Sequence, residues 1–261
     1  MGRFDGKIVL IGGNLGKIKK GKFVIGLGGA IAKHLLDEGA QIIVIDLDEN
    51  ISKQCENVID GIKAMHCDLL KDRTYTTRDI IDDRGRLKIE VDWINNPALD
   101  MVKEIVKKYG KLDILITNFD QFKQGKAENC TEEMYDELRN NNIWPLFHLL
   151  AAVREQFKKQ HEDTGAFAKV VMITSITGRA GLSMGALYSA FKGSIVGLTK
   201  SLAREFSRFA NVNTVAIGPL AIKRMQGPKD RIISDYITTQ TEMANTPLTF
   251  EKITPLTTFL A

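Results

Sequence analysis

Short runs rich in aliphatic residues recur along the chain, at 8–11, 41–45, 63–66, 112–117, 170–174 and 212–217. Most are apolar throughout rather than alternating with polar residues, the pattern of strands buried on both faces. Between them lie longer amphipathic segments at 29–38, 98–109, 132–159 and 186–209, with another at 231–243. Their apolar residues return at helical spacing. Strands separated by helices predict an α/β fold, a doubly wound parallel sheet of Rossmann-like type with helices on both faces, in a single domain spanning 1–261. In such a sheet ligands lie beyond the carboxyl ends of the strands, so the residues that follow each apolar run are the ones to examine.

Bulk properties narrow the classes. At 261 residues, with 44% hydrophobic and 26% charged residues, the chain has the makings of a sizeable core. No apolar run reaches the roughly 18 residues of a membrane span, and Met1–Lys7 lacks a secretory pattern. A cytoplasmic protein with no membrane partner is expected. Three scattered cysteines, Cys55, Cys67 and Cys130, suggest a reducing compartment without a disulfide framework. His34, His66, His148 and His161 show no zinc spacing, so no metal is expected. A net charge of +4 is too mild to argue for nucleic acid.

The chemistry concentrates in 173–192. Tyr188 and Lys192, four residues apart, share one face of a helix. Ser175 closes the strand-like run thirteen residues before Tyr188. A strand end and a neighbouring helix can bring hydroxyl, phenol and ammonium to one point. A free phenol, with a pKa near 10, is a poor base at neutral pH; an adjacent ammonium favours the phenolate. Such a tyrosine can exchange a proton with an alcohol or carbonyl oxygen that the serine holds in place. Glycines occupy the first strand-to-helix connection at Gly12, Gly13, Gly26 and Gly28, where the backbone can approach a pyrophosphate at a helix N-terminus. Asp46 ends the second apolar run eighteen residues after Gly28, placed to accept hydrogen bonds from ribose hydroxyls and to repel a 2′-phosphate.

The Ser175…Tyr188-x-x-x-Lys192 spacing and the glycine turn resemble those of the short-chain dehydrogenase/reductase family, and the resemblance runs from Lys7 to the end of the chain. It implies an NAD-dependent oxidoreductase interconverting a secondary alcohol and a ketone. Catalysis would fall to Ser175, Tyr188, Lys192 and Asn142, the last holding a water for proton relay; Asn140 and Asn141 are adjacent alternatives in register. Cofactor contacts would come from Gly12, Gly13, Gly26, Leu27, Gly28, Asp46, Asp68, Leu69, Asn118, Tyr188, Lys192 and Gly218. The family's substrate lid corresponds to about 219–245, apolar but carrying Lys223, Arg224, Lys229 and Arg231. Helices at 132–159 and 186–209 match those that pack between subunits in relatives, implying a homo-dimer or homo-tetramer, or a hetero-oligomer with a paralogue.

The chain departs from the family pattern in several places. About ten extra residues at 14–23 interrupt the glycine turn and carry Lys17, Lys19, Lys20 and Lys22. They read either as a solvated flap or as a binding loop for phosphate, including that of a coenzyme A thioester. Phe119-Asp120 replaces an expected Ala-Gly after Asn118, placing a ring and an anion beside the cofactor. Ile222 stands where a threonine would bond the nicotinamide, and 74–96 is a charged insertion. The sequence stops before the family's final strand, as a fragment or a natural variant would. These departures leave an alternative: a catalytically silent relative with weakened dinucleotide binding that accompanies an active partner.

Overall fold

The computed structural model describes residues 2–71, 74–81, 84–218 and 248–261. Its centre is a six-stranded parallel sheet built from β1 (Ile8–Gly12), β4 (Gln41–Ile45), β5 (Ile62–Ala64), β8 (Ile114–Thr117), β9 (Ala168–Ser175) and β10 (Ala210–Ile217). The spatial order is β10-β9-β8-β1-β4-β5. Each aliphatic run read from the sequence is one of these strands. Their side chains divide between two cores, as the pleat requires. From β1, Ile8 and Leu10 face one core and Val9 and Ile11 the other; from β9, Val170 and Met172 oppose Val171 and Ile173.

The first core is closed by α3 (Pro97–Tyr109), α4 (Glu132–Asn142), α5 (Trp144–Thr164) and α7 (Ala186–Glu205). The second is closed by α1 (Leu27–Asp37), α2 (Glu49–Val58) and α8 (Phe250–Leu260). Local chemistry sets several boundaries. Asn96 caps α3 by accepting from the Leu99 amide, Pro97 opens it, and Gly110 ends it in the left-handed region. The segment expected as one helix over 132–159 is two. Ile143 interrupts the helical run and Pro145, which lacks an N–H, opens the second helix. That break leaves Asn142 at the end of α4.

Both insertions are antiparallel hairpins. β2 (Gly16–Lys19) and β3 (Lys22–Ile25) turn at Lys20-Gly21, both at positive φ, and lie against α1 and α2. Gly16 pairs with Ile25, so the excursion closes on itself and returns the chain to the glycine turn. β6 (Thr74–Ile81) and β7 (Leu87–Asn95) form the second hairpin, packed chiefly on each other. The expected helix at 231–243 and the lid, with Ile222, Lys223, Arg224, Lys229 and Arg231, lie outside the described residues. Among the described residues no helix is long and apolar enough to cross a membrane, and no His/Cys/Asp/Glu group suits a metal ion.

Candidate active site

The chain runs outward from β1 through β4 to β5, then returns to place β8 on the other side of β1. The carboxyl ends of β1 and β8 therefore flank the point where winding reverses, which opens a crevice in folds of this kind. Gly12 and Gly13 lie on one side and Asn118 on the other, with the Asn118 amide donating to the Gly12 carbonyl at 2.7 Å. The ring of Phe119 packs against the glycines: a Cβ at Gly12 would come 2.9 Å from its Cζ. Phe119 is 3% exposed and belongs to the core beside Leu149 of α5, so its bulk is absorbed inside the protein.

The glycine turn is held by its own backbone. Gly28 donates to the Asn14 carbonyl and Gly26 to that of Leu15. Any side chain at position 28 would meet the Gly13 carbonyl oxygen at 2.3 Å. Asp46 ends β4 and accepts the Leu15 amide at 3.2 Å. Burial raises its pKa above the ordinary carboxylate range, against the lowering effect of hydrogen bonds from Leu15, Asp48 and Leu47. Asp68 is exposed and accepts the Leu70 and Lys71 amides, a turn within its own segment, while Leu69 is buried. Leu27 opens α1 within the second core, and Gly218 follows β10 beside Ile176 and Leu248.

β9 and α7 bring the proton-transfer residues together. Ser175 Oγ accepts from the Thr177 amide and hydroxyl at 3.2 and 3.0 Å, which fixes the serine at the strand end. One helical turn separates Tyr188 from Lys192, and the Lys192 ammonium lies 5.5 Å from the Tyr188 ring centroid. Phe122 meets the same ring edge-on at 5.0 Å. Lys192 is 1% exposed and donates to the Phe119 carbonyl at 3.0 Å.

Here one sequence expectation is corrected. The cation was expected to draw Tyr188 toward phenolate. Instead the phenol's pKa is raised, first by burial and then by the charge and hydrogen bond of Asp120; the Ser175 hydroxyl acts in the opposite direction. Asp120 Oδ1 accepts the Tyr188 hydroxyl at 2.9 Å and sits 2.8 Å from Lys192 Nζ. Asp120 was read from the sequence as an anion beside the cofactor; in the structure it has a cationic neighbour. Its charge is matched by Lys192, and Lys17, Lys19, Lys20 and Lys22 are exposed on the hairpin. The sequence placed Asp120 beside the cofactor but did not pair it with Tyr188 and Lys192. The available signal was Lys192 itself, a cation in an apolar helix face that needs a counter-charge.

Asn142 is the one of the three consecutive asparagines that is completely buried. Its Nδ2 donates to the Gln121 and Leu138 carbonyls at 3.0 and 2.9 Å, and its Oδ1 accepts the Gln121 amide at 3.1 Å. Asn141 bonds within α4 and Asn140 bonds Arg139. The Asn142 side chain thus clamps the backbone next to Asp120.

Comparison with known proteins agrees with this architecture. The family model described as short chain dehydrogenase matches residues 24–231. A 3-oxoacyl-[acyl-carrier-protein] reductase FabG of Staphylococcus aureus is 27% identical over 214 residues, 82% of this chain and 78% of that protein. An uncharacterized oxidoreductase of Thermotoga maritima is 28% identical over 216 residues, 82% of this chain and 72% of that one. The crystal structure of a 3-ketoacyl-(acyl-carrier-protein) reductase from Brucella melitensis complexed with NADH superposes with a TM-score of 0.73 at 21% identity, covering 98% of this chain and 90% of the other. The chain belongs to the short-chain dehydrogenase/reductase family of oxidoreductases. Relatives named as reductases do not favour the catalytically silent alternative.

The residues fit a nicotinamide dinucleotide. Asn118 adjoins the glycine-rich backbone at the switch point, and its buried Nδ2 has no hydrogen-bond partner there. Asp46 stands at the adjacent strand end, as a ribose-binding carboxylate would.

Proposed function

We propose that this protein interconverts a secondary alcohol and a ketone with a nicotinamide dinucleotide, NAD(H) in preference to NADP(H). The observation that carries the reading is the convergence of Ser175 from β9 with Tyr188 and Lys192 from α7 at the carboxyl end of the sheet. When bound, the nicotinamide supplies or accepts the hydride. The protein's part is to hold the substrate oxygen and move its proton. Ser175 hydrogen-bonds the oxygen, and Tyr188 gives the oxygen its proton in reduction or takes it in oxidation. Lys192 is tied to the Phe119 carbonyl, and Asn142 fixes Gln121, so the segment facing the phenol is held at both ends. The cofactor contacts are Gly12, Gly13, Gly26, Leu27, Gly28, Asp46, Asn118 and Gly218, with Asp68 and Leu69 at the adenine end.

The names of the relatives favour a 3-oxoacyl thioester as substrate. The exposed lysines of the β2–β3 hairpin suit the phosphate of its carrier. One single-domain subunit assembles with copies of itself, as a dimer or tetramer, through α4, α5 and α7. Calorimetric titration with NADH and NADPH, followed by a panel of ketones including acetoacetyl thioesters, tests the reading. Saturable NADH binding and ketone-dependent loss of reduced-nicotinamide absorbance are expected. Failure of both dinucleotides to bind contradicts it.

A further inference from the structure

Asp120 stands between the Tyr188 phenol and the Lys192 ammonium. A single oxygen, Oδ1, accepts the Tyr188 hydroxyl and faces the Lys192 ammonium, at 2.9 and 2.8 Å. The carboxylate is held in a built position. Before it, Phe119 is buried and its carbonyl accepts from Lys192; after it, both backbone groups of Gln121 are taken by Asn142. Its side chain is nevertheless 36% exposed, whereas Tyr188 and Lys192 are buried. Asp120 therefore joins the phenol to water. Other charged groups on the elements packed here are engaged or turned outward: Lys123 pairs with Glu137 of α4, and Arg179, following β9, is exposed.

We infer that Asp120 belongs to the catalytic centre, where it holds the Tyr188 proton between turnovers and resupplies it from solvent, setting the site for carbonyl reduction. The inference rests on the oxidoreductase reading above. In reduction the carbonyl carbon receives a hydride from the reduced nicotinamide, and the carbonyl π pair moves to oxygen. That oxygen takes the Tyr188 proton, so one C–H and one O–H bond form. The phenolate left behind lies against a carboxylate, an unfavourable pair of anions. A solvent proton passes by way of the Asp120 carboxylate to the phenolate oxygen, which restores both the carboxylate and the phenol. One hydride and one solvent proton are consumed per alcohol formed. Oxidation runs through the same phenolate beside the same carboxylate, so its rate climbs only at alkaline pH. Burial and the Asp120 charge, which raise the phenol's pKa, agree with this.

Carbon-13 resonances of tyrosine labelled at Cζ report the phenol without turnover, and Tyr188→Phe identifies the Tyr188 signal. In the wild type this signal stays that of a neutral phenol beyond about pH 10, the midpoint of a free tyrosine. In Asp120→Asn it titrates at least about one pH unit lower, a tenfold change in the protonation constant. The alkaline rise of alcohol oxidation moves down with it, and Asp120→Glu restores the wild-type profile. Should Asp120→Asn fail to fold, Asp120→Ser takes its place. Turnover accompanied by an unmoved phenol titration overturns this inference alone. Absence of turnover with every carbonyl in the wild type overturns the oxidoreductase reading, and the catalytic role of Asp120 with it.

Discussion

Asp46 carries two opposed demands. As an anion at a strand end it suits ribose hydroxyls and repels a 2′-phosphate, yet burial raises its pKa. The sign follows directly. The folded chain keeps the Asp46 proton at pH values where the unfolded chain, near 4, has released it. Ionisation of Asp46 therefore subtracts from stability as pH rises from about 4 through the raised folded value. Asp46→Asn should melt higher than the wild type near neutral pH, by on the order of a few degrees, and the gap should shrink toward acid. With the anion gone, NADPH should bind about tenfold more tightly, a change of about 1.4 kcal/mol. Thermal melts across pH and titration with both dinucleotides check the pair. Equal gaps at all pH values would contradict the burial argument. Asp46 was legible from its place after the run 42–45; the Leu15 amide it accepts was not, because that contact depends on where the inserted hairpin leaves the chain.

At the scale of elements, the break between α4 and α5 matters most for the site. It turns Asn142 inward, where three hydrogen bonds tie it to Gln121 and Leu138. Asn142→Ala leaves the half-buried Gln121 backbone groups unmatched and should cost about 1 kcal/mol of stability. Since Gln121 adjoins Asp120, turnover should fall further than the lost stability explains. Denaturant melts and steady-state rates on the same preparation separate the two effects, and a destabilised variant with unchanged turnover would show that the clamp serves the fold alone. Pro145 announced this break in the sequence, but the amphipathic period continues across it and hid it. The strands of the sheet were easier to read, being aliphatic on both faces. Those of the two hairpins were not, because their largely exposed, mixed residues give no such run: Lys17, Lys19 and Lys22 in one, Arg78 and Asp92 in the other. The short α2 was also missed, although Asp48 caps it and Ser52 and Cys55 face the core.

For the whole molecule, the sheet order puts every site element at one end, and this follows from topology more than from any single residue. Strand–helix alternation foretold that end, and the spacing of Ser175, Tyr188 and Lys192 foretold that these three side chains meet. The pairing of Asp120 with Tyr188 came into view only in three dimensions: the two are 68 residues apart, and the contact depends on the path of the segment after β8. The account depends most on Tyr188 being the group that moves the substrate proton. The direct measurement is a single-turnover rate for reduction of a 3-oxoacyl thioester, with wild type and Tyr188→Phe saturated with reduced dinucleotide. A fall of about 10²–10⁴-fold is expected, with dinucleotide affinity little changed; an undiminished rate in Tyr188→Phe would contradict the assignment.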